Sequence, residues 1–297
     1  AVPLPLLGSG FYMGEQGGLY PNGLNLPPAV YLAELEALAA QLAQDDELVA
    51  VCLGMSMMQN ACTGFIANGY TTGPNVNPNL TVVNSAVGSK QQNWASPNSP
   101  VWSNADNRLA AAGFAPEDVD IVFYHNAWGG PSLPFPDHAL VMLDSLRITM
   151  ENIENRYPNT QIIYLNSRHY GGWNDQSKSP EPFAYEEGFS YKWLIEERIN
   201  GEIDGPLMAW QAYQWVPTWP ESYFISDGLH LSQEGKAASA ALWNDFFTTS
   251  SYAAPWFENP PTPTPTPSPT ITPTPTITPP STGTPTATPT VPPTASP

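Results

Sequence analysis

The sequence predicts an α/β fold in which helices cover both faces of a five-stranded parallel sheet. Short apolar runs of strand length alternate with longer segments of helical periodicity over residues 28–247. Such alternation is typical of parallel sheets, because parallel strands need long crossover connections that are usually helical. Polar and glycine-rich turns follow the strands, at the edge where α/β sheets bind their ligands. We therefore expect a functional site at the carboxyl ends of the strands.

The first half of the chain begins with an irregular segment. Residues 1–27 are rich in Gly, Pro, Asn and Leu without periodicity, which indicates an arm lying over the domain surface. Pro28 opens a predicted helix to about Gln44, since Pro is favoured at the first helical position. The next predicted elements are a strand at 48–53, a helix from about 57, a strand at 80–83, a helix at 105–112 closed by Gly113, and a strand at 119–124.

The second half continues the alternation. The predicted elements are a helix at 137–156, a strand at 161–165, a helix at 184–200 that ends at Gly201, a strand at 207–210 and a helix at 232–247. Five polar turns fall at or beyond the strand ends, at 54–56, 84–88, 125–130, 166–173 and 226–230. Because parallel strands end at one edge of the sheet, we expect these turns to meet in one crevice.

The composition changes sharply near the end of the chain. Residues 260–297 contain 15 Pro and 14 Thr among 38 residues, with no charged and no aromatic side chain. Such a segment cannot bury enough apolar surface to fold alone, and its many Thr side chains are candidates for O-linked glycans. The predicted organisation is an N-terminal arm at 1–27, one α/β domain at 28–258 and a Pro/Thr-rich tail or linker at 259–297.

The charge balance excludes several classes of partner. Nine Lys and Arg stand against 27 Asp and Glu, a net charge of −18, whereas nucleic acids and anionic membranes require a basic face. No apolar run approaches the ~20 residues of a membrane span, and the His and Cys spacing suggests no metal or other cofactor.

The chain begins at Ala1 without Met, which fits removal of an export signal. We expect an extracellular or cell-surface location.

One hydroxyl group, that of Ser56, is placed as a nucleophile would be. It follows the apolar run at 48–53 in the order Gly54-Met55-Ser56, and a helix-compatible segment comes next. A strand, a Gly-x-Ser turn and a helix together expose a serine Oγ at the edge of an α/β sheet. On the residues alone, a serine at this point also fits an ordinary turn residue or a helix N-cap.

A second segment carries the partners that such a serine needs. Ester hydrolysis through a serine requires a base within hydrogen-bond reach and a carboxylate that holds the base in the right tautomer. Asp227 and His230, separated by Gly and Leu and followed by an Ala-rich helix, can supply both from one loop. Taken separately, each also fits a turn or capping residue.

The two cysteines, Cys52 and Cys62, lie on either side of Ser56. With one in the strand and the other in the following helix, a disulfide is geometrically feasible. Two buried free thiols that act as small apolar side chains fit the sequence equally well.

Ser56, Asp227 and His230 together resemble the motifs of the SGNH (GDSL-like) hydrolase superfamily. The resemblance implies a flavodoxin-like, three-layer α/β/α sandwich and a Ser-His-Asp carboxylic ester hydrolase. Met55 stands where the family usually has Asp.

The same resemblance implies an oxyanion hole. Its donors would be the amides of Ser56 and Gly88 and the side chain of Asn126. The third family motif, Gly-x-Asn-Asp, is not reproduced here, since His125 and Ala127 flank the Asn.

The chain is similar over residues 18–247 to a group of uncharacterised exported bacterial SGNH-like proteins with Gly-Met-Ser in place of Gly-Asp-Ser. The segments that carry this similarity are Leu19-Tyr-Pro-Asn-Gly, Gly54-Met-Ser, Ser167-Arg-His-Tyr-Gly-Gly, Pro180-Glu-Pro-Phe-Ala-Tyr-Glu and Lys192-Trp-Leu-Ile-Glu. It supports the fold and does not identify a substrate.

Three residues near the strand ends are candidates for substrate binding. Arg168 fits a bidentate contact with a carboxylate or sugar hydroxyl, or else a buried ion pair with Glu186 or another acid that holds the loops together. Trp128 and Tyr170, with other loop aromatics, fit sugar-stacking walls or mutual packing. An acylated saccharide or a small ester is the expected substrate.

The departures from the family motifs leave a second class open. A non-catalytic extracellular protein on this scaffold would use the domain as a structural, self-assembling or glycan-binding unit, with the tail or the N-terminal arm as its connector.

Overall fold

The computed structural model describes residues 1–174 and 179–259. Ala1–Pro260 form one unit. The proposed glycans and nearly all of the Pro/Thr-rich tail lie outside the described residues. The strands are β1 (Phe11–Tyr12), β2 (Glu15–Gln16), β3 (Leu48–Gly54), β4 (Leu80–Asn84), β5 (Val119–His125), β6 (Ile162–Leu165) and β7 (Leu207–Trp210). The helices are α1 (Leu4–Leu7), α2 (Ala29–Leu42), α3 (Ser56–Ala67), α4 (Gln91–Trp94), α5 (Pro100–Ala111), α6 (Asp137–Arg156), α7 (Phe183–Asn200), α8 (Gln233–Thr249) and α9 (Ala254–Phe257).

Five strands form the parallel sheet that the sequence predicts. Their order is β4-β3-β5-β6-β7, and every neighbouring pair is parallel. Numbered along the chain within this sheet, the order is 2-1-3-4-5, which is the flavodoxin-like order. The direction of winding changes between β3 and β5, and the register pairs Gly54 with His125 there. The turn after β3 therefore lies where α/β sheets form their ligand crevice.

Helices cover both faces of the sheet, as predicted. Side chains of a strand alternate between its two faces. Along β3, Val49, Val51 and Leu53 join a core shared with α4, α5, α6 and α7. Leu48, Ala50 and Cys52 join a second core shared with α2, α3, α8 and α9. Because both faces are buried, the strand is apolar throughout rather than alternating, and this explains the continuous run in the sequence.

The predicted elements are all present, with small differences at their ends. Helix α5 begins at Pro100, five residues before the predicted start. Ser99 caps it by accepting a hydrogen bond from the Val101 amide at 3.5 Å, and Pro occupies the first turn. Among the described residues, no helix is long and apolar enough to cross a membrane.

The N-terminal arm is more regular than its composition predicts. It contains α1 and the hairpin of β1 and β2, and it contributes two fully buried side chains, Leu4 and Tyr20. The Tyr20 hydroxyl accepts a hydrogen bond from the Trp210 amide at 3.1 Å, at the end of β7. Part of the arm is therefore built into the core rather than lying over the surface.

Cys52 in β3 and Cys62 in α3 form a disulfide, with Cα atoms 6.5 Å apart. Of the two states that the sequence leaves open, the structure contains the bonded one. The closed loop spans a sequence separation of 10, and a loop of this length stabilises a fold by roughly 2–3 kcal/mol. The bond ties together the strand and the helix on either side of Ser56.

Candidate active site

Ser56 is the first residue of α3, directly beyond the carboxyl end of β3. Gly54 turns the chain there with φ 132°, and a Cβ at this position would overlap the carbonyl oxygen of His125. The same carbonyl accepts a hydrogen bond from the Met55 amide at 3.1 Å. Only glycine permits this close approach, which places the Ser56 hydroxyl at the edge of the sheet.

The structure brings the three residues of the expected triad together. The Nε2 atom of His230 lies 2.8 Å from the Oγ of Ser56. Its Nδ1 atom lies 2.6 Å from Oδ2 of Asp227. With the ring proton on Nδ1, that nitrogen donates to the carboxylate, and Nε2 accepts from the serine hydroxyl. This is the arrangement of nucleophile, base and orienting carboxylate that acyl transfer through serine requires.

The carboxylate of Asp227 is held by its own loop. Oδ1 accepts hydrogen bonds from the amides of Leu229 and His230, both at 2.9 Å. Partial burial raises the pKa of Asp227, but the hydrogen bonds from the His230 ring and from these two amides outweigh it and lower the pKa. Asp227 is therefore ionised at neutral pH and able to stabilise a charged imidazole.

The loop that carries His230 is anchored at two places. Gly228 has φ 61°, and a Cβ there would overlap the carbonyl oxygen of Trp173, so the loop passes directly against the neighbouring segment. The Leu231 amide donates to Oδ1 of Asn60 in α3 at 3.0 Å. The base is thus tied to the helix that begins with the nucleophile.

Gly88 lies beside Ser56, as the expected oxyanion role requires. A Cβ on Gly88 would lie 3.3 Å from the Cβ of Ser56. The loop is held in place by the Val87 amide, which donates to the carbonyl of Gly54 at 3.0 Å. Met55, the N-cap of α3, offers no side-chain acceptor to the first turn, and first-turn amides have no acceptor within the helix. The Ser56 amide, in the first turn of α3, therefore has neither a side-chain cap nor a helical acceptor.

Asn126 is not placed as the resemblance implies. Its side chain is fully buried, where Nδ2 donates to the Tyr124 hydroxyl at 3.3 Å and Oδ1 accepts from the Ala127 amide at 2.9 Å. It is not among the described residues that line the cavity in front of Ser56. The structure thus contradicts the side-chain oxyanion role, because the amide is committed to the interior of β5 and its turn.

The cavity in front of Ser56 has a volume of about 600 Å³. The described residues that line it are Met55, Ser56, Gly88, Ser89, Lys90, Asn93, Ala127, Trp128, Gly129, Gly130, Arg168, Leu229 and His230. Arg168 and Trp128 therefore lie where a substrate would bind.

Tyr170 does not line the cavity. Its ring packs edge-to-face against Trp173 and Trp215, with centroids 6.3 and 5.9 Å apart. For Tyr170, mutual packing of aromatic loops describes the structure better than a sugar-stacking wall.

Arg168 does not form the ion pair with Glu186 that the sequence left open. One carboxylate oxygen of Glu186 accepts a hydrogen bond from the Tyr12 hydroxyl at 2.6 Å, and the other lies 3.4 Å from His138 Nε2. Arg168 is only 2% exposed, and its Nε and Nη1 atoms have no hydrogen-bond partner in the described part of the chain. The acid with the largest electrostatic effect on it is Glu187.

Glu187 is a buried acid that the sequence did not single out. It accepts hydrogen bonds from the Trp128 amide at 3.0 Å and the Ser179 hydroxyl at 2.8 Å, and so supports the cavity wall. Burial raises the pKa of Glu187 to about 7, although the charge of Arg168 and these hydrogen bonds oppose the rise. The sequence did offer one signal for this residue: Glu187 directly follows Glu186, the acid already considered as a partner of Arg168.

Lys90 is a second lining residue that the sequence did not single out. It lies two residues after Gly88, and a Cβ on Gly129 would collide with its side chain. In a chain with nine Lys and Arg, a lysine so close to the expected oxyanion loop was a usable signal.

Two buried histidines, His125 and His169, lie near this region with ring centroids 6.0 Å apart. Burial and, after it, the positive charge of Arg168 lower the pKa of His169 to about 3. Burial also lowers the pKa of His125, and electrostatic repulsion from His169 and Arg168 lowers it further. Both are neutral at ordinary pH. No group of three or more His, Cys, Asp or Glu in residues 1–174 and 179–259 is arranged to hold a metal ion.

Replacing Glu187 by glutamine is expected to remove a pH dependence of stability. The pKa of Glu187 is about 7 in the folded chain, above its ordinary value of 4.5. Unfolding therefore releases a proton from this group at any pH between about 4.5 and 7. The stability of the parent should therefore fall as pH rises from about 4.5 to 7, by an amount on the order of 3 kcal/mol, and stay level above. Urea unfolding at pH 5 and pH 8 measures it. Glu36→Gln, an exposed change on α2, serves as control, and parallel pH curves for parent and Glu187→Gln would contradict the expectation.

No family model matches the chain, and no curated protein matches it. Among solved structures, the chain is similar to a salicylyl-acyltransferase from a tetracycline biosynthetic pathway, at 11% identity and a TM-score of 0.39, over 71% of this chain and 56% of that one. It is also similar to the periplasmic domain of a lipopolysaccharide acetyltransferase from Salmonella ser. Paratyphi A, at 15% identity and a TM-score of 0.36, over 72% of this chain and 93% of that one.

Proposed function

We propose that the chain is a serine esterase that hydrolyses esters through a covalent acyl-enzyme. The observation that carries this proposal is the continuous contact from Ser56 Oγ through the His230 ring to Asp227, with distances of 2.8 and 2.6 Å. Two further features support it: the contact opens into a cavity, and Gly88 lies directly beside the serine.

In the first step, His230 Nε2 accepts the proton of Ser56 as Oγ bonds to the acyl carbon. The carbonyl oxygen becomes negative, and we assign its stabilisation to the amides of Ser56 and Gly88. Each such donor lowers a barrier by roughly 3 kcal/mol. The charged imidazole then gives its proton to the leaving alcohol as the ester C–O bond breaks.

In the second step, water attacks the acyl-enzyme and His230 accepts its proton. When the bond to Ser56 breaks, the same proton returns to the serine oxygen and the carboxylic acid leaves. Asp227 stays ionised and stabilises the imidazolium throughout, which fits its lowered pKa. The cycle uses water and ester only.

We further propose a small ester or an acylated saccharide as substrate, and an extracellular or cell-surface location. The cavity of about 600 Å³ accommodates an acyl group together with part of its carrier, and the Trp128 ring beside it offers an apolar face.

Labelling with a fluorophosphonate tests the reaction class. The full chain should react, and peptide mapping should locate the adduct on Ser56, because the probe captures a serine activated by its base. Heat-unfolded protein is the control and should not react. An unlabelled folded chain would refute the proposal and favour a non-catalytic structural or glycan-binding domain.

A further inference from the structure

The cavity in front of Ser56 has a charge opposite to that of the chain as a whole. The net charge is −18, with 27 Asp and Glu against nine Lys and Arg. Yet the described lining residues include Arg168 and Lys90 and no Asp or Glu. Clefts lined by one sign of charge concentrate ligands of the opposite sign. The cavity is therefore suited to anions, although the rest of the molecule repels them.

Arg168 has hydrogen-bonding capacity that the described part of the chain does not use. Its side chain is 2% exposed, yet Nε and Nη1 have no partner among the described residues, and no described acid lies within ion-pair distance. Leaving buried donors of a charged group unpaired is costly. A ligand in the cavity would supply the acceptor that these donors lack. A carboxylate fits best, because its two oxygens match the planar fork of the guanidinium.

We propose that the substrate is an ester that also carries a carboxylate, and that Arg168 binds this carboxylate while Lys90 attracts it from the cavity mouth. The proposal rests on the proposed esterase function and specifies its substrate class. The carboxylate lies either on the acyl group or on the alcohol, since the cavity is continuous from Ser56 to both cations.

The charge balance of the wall favours a single negative charge over a phosphate dianion. Glu187 lies behind the wall, where it supports Trp128 and interacts electrostatically with Arg168. Its partial ionisation near neutral pH cancels part of the arginine charge. Arg168 and Lys90 together still outweigh the partial charge of Glu187, and one carboxylate can neutralise this excess.

Two pairs of matched esters test the proposal on the unmodified full chain. In the first pair, 4-nitrophenyl hemiglutarate is compared with its neutral carboxamide, which places the carboxylate on the acyl group. In the second, 3-acetoxybenzoate is compared with 3-acetoxybenzamide, which places it on the alcohol. We expect kcat/KM for the carboxylate to exceed that for the amide at least about tenfold in one pair, mainly through KM. Equal rates in both pairs would overturn the proposal.

Variants assign the preference to the two cations. Arg168→Gln should abolish the preference by lowering kcat/KM for the carboxylate ester, whereas Lys90→Gln should reduce the preference only in part. Lys236→Gln removes one cation outside the cavity and should leave the preference unchanged. An equal loss on both esters in Arg168→Gln would overturn the proposal, because it would assign Arg168 to the oxyanion instead. Since Lys90 is exposed, its variant is informative even where loss of the buried arginine unfolds the chain.

Binding without turnover separates this proposal from the reaction itself. Calorimetric titration of Ser56→Ala with 3-acetoxybenzoate, 3-acetoxybenzamide, monomethyl glutarate and its neutral carboxamide measures the preference when no bond breaks. Tighter binding of a carboxylate than of its amide supports the proposal, and equal affinities in both pairs refute it. A chain that binds the carboxylate but hydrolyses no ester would retain this inference and lose the esterase.

Discussion

Ser56→Ala is expected to lower kcat for ester hydrolysis by about 10⁴-fold or more, with little change in KM. The substitution removes the atom that forms the acyl-enzyme, whereas the cavity that binds substrate remains. The residual rate should come from binding and the backbone donors alone. Steady-state kinetics on a neutral acetyl ester measures the effect, and circular dichroism confirms that the variant is folded.

Two further variants sharpen the Ser56 result. Adding His230→Ala to Ser56→Ala should cost little more, because the members of a triad act as one unit. Ser103→Ala, on the exposed side of α5, is the matched control and should keep parental activity, since its hydroxyl only contacts the Pro100 carbonyl. Activity retained in Ser56→Ala would show that the catalytic serine is elsewhere, and the proposed mechanism would be wrong.

Gly54→Ala is expected to destabilise the chain by more than about 4 kcal/mol or to prevent folding. The residue has φ 132°, and the added methyl would overlap the carbonyl oxygen of His125 on the neighbouring strand. Neither backbone can retreat easily, because both belong to buried central strands of the sheet. The free energy of unfolding in urea measures the effect.

Gly113→Ala separates backbone strain from collision. Gly113 also has a positive φ, 97°, but a Cβ there meets no atom within 4 Å. Its replacement should cost only about 1–2 kcal/mol, from the unfavourable φ of a non-glycine residue. Similar losses in the two variants would show that the contact between Gly54 and His125 is not what requires glycine at the turn.

Much of the fold was predictable because it depends on local periodicity. Helix α6 and strand β7 have the predicted bounds, since amphipathic spacing and a continuous apolar run are properties of neighbouring residues. Helix α4 and the short elements of the arm were not predicted. Elements of two to four residues are too short for a period to appear, and tertiary contacts such as that of Tyr20 with β7 hold the arm in place.

Met55, which stands where the family that the chain resembles usually has Asp, lies in apolar surroundings. Its side chain is nearly buried in an apolar cluster with Trp219, Leu229 and other residues, next to the loop that carries His230. A methionine fits this environment, whereas a carboxylate would lose its hydration there. This packing is visible only once loops distant in sequence are brought together.

By itself, the sequence determined the order of strands and helices, the edge of the sheet where the site lies, and the residues Ser56, Asp227 and His230 that meet there. The order of the elements and the edge of the sheet follow from spacing along the chain and from the rule that parallel strands end together. The three residues were singled out by their position at that edge together with their resemblance to the SGNH motifs. Only the tertiary structure decided that Asn126 faces the interior, that Cys52 and Cys62 are bonded, and that Arg168 and Lys90 share the cavity. Side-chain direction and pairing depend on which distant segments pack against each residue, and local sequence does not encode this.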